Sequence, residues 1–290
     1  MKNLWKKIAA GALALAMVFS LAACAKKDQP SGGDAVAAMR NARQEMEKVS
    51  SMRYTYAMEM AISAEGESVE MTVNGSAEMT MDPIAVKMTM NMDMLGMALE
   101  NIQIYMVPEN GRMVTYVGMD MEGAGQNQWY KTLAEDATIS TEQYNAVDSF
   151  ELYMENGSDF KAAGRETVQG VSATRYEGVI SSDVLEETLE KSGNLDNISS
   201  LLGEDYSGAL AKMGGIPITI WISDAGLPVK YVFDMTSMVA ELIKNTAEDN
   251  RDAGVSVDKV MMSMEVEGYN DISAITVPQD ALDSAANMES

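Results

Sequence analysis

The stretch KMTMNMDM, residues 87–94, decides the fold: methionine stands at every second position, with Thr89, Asn91 and Asp93 between. A period of two is the repeat of a β-strand, whose successive side chains point to opposite faces. Taken back to Ile84, the alternation lines up Ile84, Val86, Met88, Met90, Met92 and Met94 on one face and Lys87, Thr89, Asn91 and Asp93 on the other. Such a strand has one face to bury and one to leave polar.

The flanking sequence repeats the pattern. From Met52 to Ile62 the even positions Met52, Tyr54, Tyr56, Met58, Met60 and Ile62 are apolar. Beyond a turn at Glu65-Gly66-Glu67, Val69, Met71, Val73, Ala77, Met79 and Met81 line one face, and Asp82-Pro83 ends the run. A fourth strand covers Met97 to Met106, where the phase shifts between Leu99 and Ile102 as it does at a β-bulge. Met113 to Met119 and Gln128 to Lys131 continue the meander, and further strands are expected at Gly164–Ile180, Ile216–Ser223, Val229–Met235 and Val257–Tyr269. Consecutive strands with one apolar face predict an antiparallel sheet that must be covered on that side. The covers are helices predicted from Asp34 to about Val49, at Ser140–Asn156, at Asp183–Lys191, near Asn197–Leu202 and from Met238 to about Ala247. A sheet of ten or more strands tends to curl.

The N-terminus follows other rules. Lys2, Lys6 and Lys7 precede an apolar run, Ile8 to Leu21, that is short for a membrane span. Leu21-Ala22-Ala23-Cys24 resembles a bacterial lipobox, in which cleavage precedes the cysteine and its thiol carries a diacylglycerol. Cys24 is the only cysteine, so no internal disulfide forms. Residues 1–23 are therefore expected to be a lipoprotein signal peptide, 24–33 a lipidated Pro/Gly/Ser tether, and 34–290 a single domain outside the cytoplasm, held to the membrane through the acyl chains of Cys24.

Composition excludes several function classes. Without Lys2, Lys6 and Lys7, 18 basic face 44 acidic side chains, a formal charge of −26, which is unsuited to nucleic acid. The chain has no histidine, no thiol beyond the anchor and no G-x-S-x-G elbow. Imidazole chemistry is thereby removed, and no enzyme, cofactor or metal site is assigned. Glu186-Glu187 and Glu248-Asp249 read as solvated helix faces, and Asp120-x-Glu122-Gly123 lacks the ligand spacing of an EF-hand. The Met-x-Met runs offer soft thioethers to Cu(I), but alternation spaces them about 6.5–7 Å apart along one strand, so one ion would need residues from neighbouring strands.

Local motifs add a resemblance. Trp129-Tyr130-Lys131, the Val168–Tyr176 hairpin with Gln169-Gly170 at its turn, Ile220–Pro228, Phe233-Asp234-Met235-Thr236 and Ile275-Thr276-Val277-Pro278 occur in this order across most of the chain. In order and spacing they resemble the LolA/LolB-like superfamily of bacterial lipoprotein carriers, including its LppX-type members and related Gram-positive lipoproteins. The resemblance implies a mainly β fold with helices (α+β): one large curved antiparallel sheet, a half-barrel, with helices on its concave side. It also implies a membrane-anchored lipoprotein that binds, carries or senses a lipid or other amphiphile. Methionine is unbranched and polarizable and reshapes around irregular apolar guests. The expected ligand wall is therefore Met58, Met60, Met71, Met79, Met81, Val86, Met88, Met90, Met92 and Met94. The competing reading is a filled core in an interaction or sensor lipoprotein of the cell envelope, its protein partner unspecified.

Overall fold

The computed structural model describes residues 35–64, 67–94, 97–120, 127–133, 160–191, 215–246 and 255–287. The expected signal peptide and tether with Cys24, the helix expected at Ser140–Asn156, the piece near Asn197–Leu202, Glu248-Asp249 and the loop after Asp120 lie outside them.

Strands dominate. In chain order the elements are α1 (Ala35–Met46), β1 (Ser51–Ala64), β2 (Glu67–Met81), β3 (Ile84–Met94), β4 (Met97–Glu109), β5 (Arg112–Met119) and β6 (Gln128–Leu133). There follow β7 (Lys161–Val168), β8 (Val171–Ile180), α2 (Ser182–Lys191), β9 (Ile216–Ser223), β10 (Pro228–Asp234), α3 (Thr236–Thr246), β11 (Ser256–Tyr269), α4 (Gln279–Ser284) and β12 (Ala286–Asn287). The strands form one sheet in the order β12-β6-β5-β4-β3-β2-β1-β11-β10-β9-β8-β7. The ladders β2 through β6 and β7 through β10 are antiparallel, and two-residue β12 runs parallel to β6. The strands expected from the sequence are thus all present, with α4 and β12 as additions that it did not anticipate.

Two compact units divide the described residues. One draws on 48–57, 71–141 and 264–290: the first half of β1, most of β2, β3 to β6, the end of β11, α4 and β12. Its sheet is anchored at Ser51, which is fully buried. The Ser51 carbonyl accepts the Asn270 N–H at 2.8 Å and its hydroxyl accepts the Ile272 N–H at 3.0 Å. Asn270 adopts a left-handed φ of 60°, a conformation Asn tolerates, and its side chain accepts the Ser50 N–H at 2.7 Å. These bonds start the C-terminal segment back along the sheet.

The other unit draws on residues up to 47, 58–70 and 142–263, and contains β7 to β10 with α1, α2 and α3. Ile216, Ile218, Ile220 and Ile222 alternate on β9, and Tyr231 and Phe233 join the same face from β10; all six are buried. The buried faces of the helices are Ala35, Met39, Ala42 and Met46 on α1, Val184 and Leu185 on α2, and Met238, Val239 and Ile243 on α3. Asp234 caps α3 by accepting the Thr236 N–H at 3.0 Å, and the Thr236 hydroxyl accepts the Val260 N–H at 2.9 Å.

Candidate functional site

The site is built from three strands in register. Met71, Val73, Gly75, Ala77, Met79 and Met81 on β2 stand opposite Met94, Met92, Met90, Met88, Val86 and Ile84 on β3. On the far side of β3, Val86, Met88 and Met90 face Met106, Ile104 and Ile102, while Met92 and Met94 face Leu99 and Met97. The register shifts between Met90 and Met92 because β4 carries an extra residue there. Asn101 takes the strained position, φ 55°, and its N–H donates to the Asn91 side chain at 2.9 Å. Without this bulge, Met97 and Leu99 would fall on the opposite face from Ile102. The phase shift read from the sequence is this bulge.

The outcome is a face on which every position paired across these three strands, from the Met71 row to the Met81 row, is uncharged. Met71, Val73, Ala77, Met79, Val86, Met90 and Ile102 are buried, and Met81, Met88, Met92, Met94 and Met106 are half-buried. Towards the β3–β4 hairpin the face opens: Leu99 is 44% and Met97 62% exposed. Of the ten residues expected from the sequence to form a wall, eight share this face. Met58 and Met60 are buried on the second half of β1, within the other unit.

One polar group was not foreseen. The Tyr56 hydroxyl donates to the Thr89 carbonyl at 3.3 Å, above Gly75. A Cβ on Gly75 would lie 1.9 Å from the Thr89 oxygen and 2.7 Å from the Tyr56 hydroxyl. Glycine is therefore required here by backbone approach, and the space it leaves is where the tyrosine enters the methionine face. Burial, followed by the neighbouring Tyr54, pushes the Tyr56 phenol well above its usual range. It is a neutral donor at any physiological pH. The face thus offers apolar contact and one hydroxyl, but no acid–base pair or nucleophile among its described residues.

The reverse side of the same strands is different. Ala85, Tyr105, Val107, Val114, Tyr116 and Trp129 form a second cluster with Ala281 of α4, and Ile275, Val277 and Ala285 pack against it. The Trp129 indole N–H donates to Asp280 at 2.8 Å, and its ring covers Gly118. Trp129 is therefore part of the seat of the C-terminal segment and not of the methionine face. Trp221 also lies off the isoleucine face of β9, as alternation predicts, and packs with Val168, Ala173 and Val229. Its N–H donates to Glu166 at 3.0 Å, Arg175 pairs with the same carboxylate at 2.8 Å, and the Lys230 ammonium sits 5.6 Å from the ring centre.

Among the described residues no helix is long and apolar enough to cross a membrane. Residues 34–172 match a family described as "Family of unknown function (DUF6612)". No curated protein matches the chain. Among solved structures, the lipoprotein LppX of Mycobacterium tuberculosis is 11% identical, covers 85% of this chain and 100% of its own, and gives a TM-score of 0.40. LprF from Mycobacterium bovis is 14% identical over 87% of this chain and 99% of its own, with a TM-score of 0.43. A putative outer membrane lipoprotein-sorting protein domain from Vibrio parahaemolyticus is 8% identical over 87% and 98%, with a TM-score of 0.23.

Proposed function

We propose that this chain is a membrane-anchored, extracytoplasmic lipoprotein that binds an acyl chain or comparable amphiphile on the methionine face of β2–β4. The observation that carries the reading is the continuity of that face: six cross-strand rows without one charge, kept in phase by a bulge. An inserted chain gains about 0.8 kcal/mol per buried CH₂, so a dozen methylenes supply roughly 10 kcal/mol before ordering costs. Flexible thioether side chains suit a guest of variable shape. The lipobox at Leu21-Ala22-Ala23-Cys24 supplies the anchor, which the acidic body needs because an anionic membrane repels it. Binding rather than catalysis is the role.

The test combines ligand and fold. The mature chain from residue 25, without its acyl groups, should retain an extractable amphiphile in native mass spectrometry and take up a fluorescent fatty acid. Met90→Glu puts a carboxylate into the centre of the wall and should abolish uptake. The burial of Met71, Met79 and Met90 favours a second reading, a filled core in an interaction or sensor lipoprotein. In that case the parent carries no lipid and takes up no probe, and Met90→Glu only lowers the unfolding temperature. For the anchor, Cys24→Ala should leave a precursor that is neither cleaved nor lipidated; a processed variant that resists alkaline washing would remove Cys24 from the account.

A further inference from the structure

The register that joins β2, β3 and β4 does what a single strand cannot. Met71 stands opposite Met94, and Met94 stands opposite Met97, so three thioethers form one row across three strands. Each of the other rows on this face holds at most two methionines. Met92 lies one pleat away on the same face, between Val73 and Leu99. Directly opposed Cβ atoms lie about 4.5–5.5 Å apart, so the outer two of the row are separated by roughly 10 Å. Methionine has three rotatable bonds. Met71 and Met97 leaning towards Met94 bring their sulfurs within the span of one ion.

We propose that Met71, Met94 and Met97, with Met92 as a fourth donor, form a Cu(I) site at the hairpin end of the methionine face. Thioether sulfur is a soft, neutral ligand, which selects Cu(I) over the hard divalent cations that require oxygen. A monovalent ion also leaves little charge for this apolar surface to accommodate. The row grades from buried Met71 through half-buried Met94 to exposed Met97, so it has a closed floor and an entrance from solvent. Exposed Asp93 and Glu100 on the flanking backbone, and a formal net charge of −23, concentrate cations around that entrance. The site shares Met71, Met92 and Met94 with the proposed lipid wall but differs in what it requires: it depends on sulfur atoms, whereas an acyl chain depends only on apolar area.

The experiment is an anaerobic competition titration of the full chain in detergent, with Cu(I) buffered by a chromogenic chelator. One equivalent should bind, with an X-ray absorption spectrum showing sulfur ligands. Replacing Met71, Met94 and Met97 together with leucine conserves volume but should weaken binding at least about tenfold. Met79→Leu/Met88→Leu/Met106→Leu, which removes as many thioethers further down the same face, should bind as the parent does. Met97→Leu alone changes only an exposed side chain, so its loss of affinity is readable even if the triple variant unfolds. The proposal is overturned if the parent binds no Cu(I), if Met97→Leu binds unchanged, or if the control set weakens binding as much as the tip set does.

Discussion

The strands β2 to β6 present two apolar regions on opposite faces, and the two are closed by different means. The methionine face uses one residue type in repeated rows, and the polar bond at its centre joins Tyr56 to a backbone carbonyl. The reverse face is a small mixed cluster fixed by directional bonds: Trp129 to Asp280, Ile272 to Ser51, and the Glu109–Lys131–Tyr116 group beside it. Buried hydrogen bonds specify one arrangement, whereas unbranched side chains tolerate several. The reverse face therefore holds a defined segment of the same chain, and the methionine face keeps adaptable packing.

The sharpest way to break this comparison is at the glycines. Gly75→Ala drives a Cβ into the Thr89 carbonyl, which is backbone and cannot rotate away. We expect a loss of at least about 3 kcal/mol, or no folded protein, in a denaturant titration. Gly118→Ala meets only the Trp129 ring, at 2.7–2.9 Å, and should cost less. Equal losses would mean that the two faces are equally rigid.

Next in size is Trp129→Phe. The variant keeps the ring but strands Asp280 without its indole donor, and should lose about 1.5–3 kcal/mol, with proteolysis of the C-terminal segment increasing. By contrast, Met88→Leu on the other face should cost below about 1.5 kcal/mol, because a flexible surface re-forms around an apolar side chain of similar volume.

A pH scan separates the two regions further. Burial raises the Glu109 pKa, but hydrogen bonds from Lys131 and Tyr116 outweigh it and hold the carboxyl below its ordinary 4.5. The stabilisation is therefore present above about pH 4.5 and disappears as pH falls through the lower folded value. Lys131 is raised, first by its bond to Glu109, so its contribution persists through neutral pH and fades only above its ordinary 10.5. Glu109→Gln should lower the unfolding temperature slightly at pH 7, the effect of one half-exposed pair, and by less at pH 3. A difference that is the same at both pH values would contradict the assignment. The paired rows of the methionine face hold no carboxylate, and Met92→Leu should shift stability equally at both pH values.

The smallest effect belongs to the open end. Met97→Leu and Leu99→Met change side chains that are largely in solvent, and should alter stability by less than about 0.5 kcal/mol. A larger change would show that the hairpin end is packed in solution.

Alternation alone determined much of this protein. Because a strand's side chains change face at every residue, Met88, Met90, Met92 and Met94 had to share a face, and Trp221 had to oppose Ile218, Ile220 and Ile222. The slip from Leu99 to Ile102 was legible as a bulge for the same reason. Pairing was not legible, since alternation fixes the face of a residue but leaves its cross-strand neighbour to the register. The row Met71–Met94–Met97 therefore appears only once β2, β3 and β4 are joined. Gly75 likewise reads as a weak point in a strand until Thr89 and Tyr56 are brought against it. The seat of the C-terminal segment was hidden most deeply. Trp129 and Asp280 lie 151 residues apart, and no local periodicity relates them. Only folding of the chain back onto the reverse face turned Tyr105, Val107 and Trp129 from residues of a polar-facing meander into a second core.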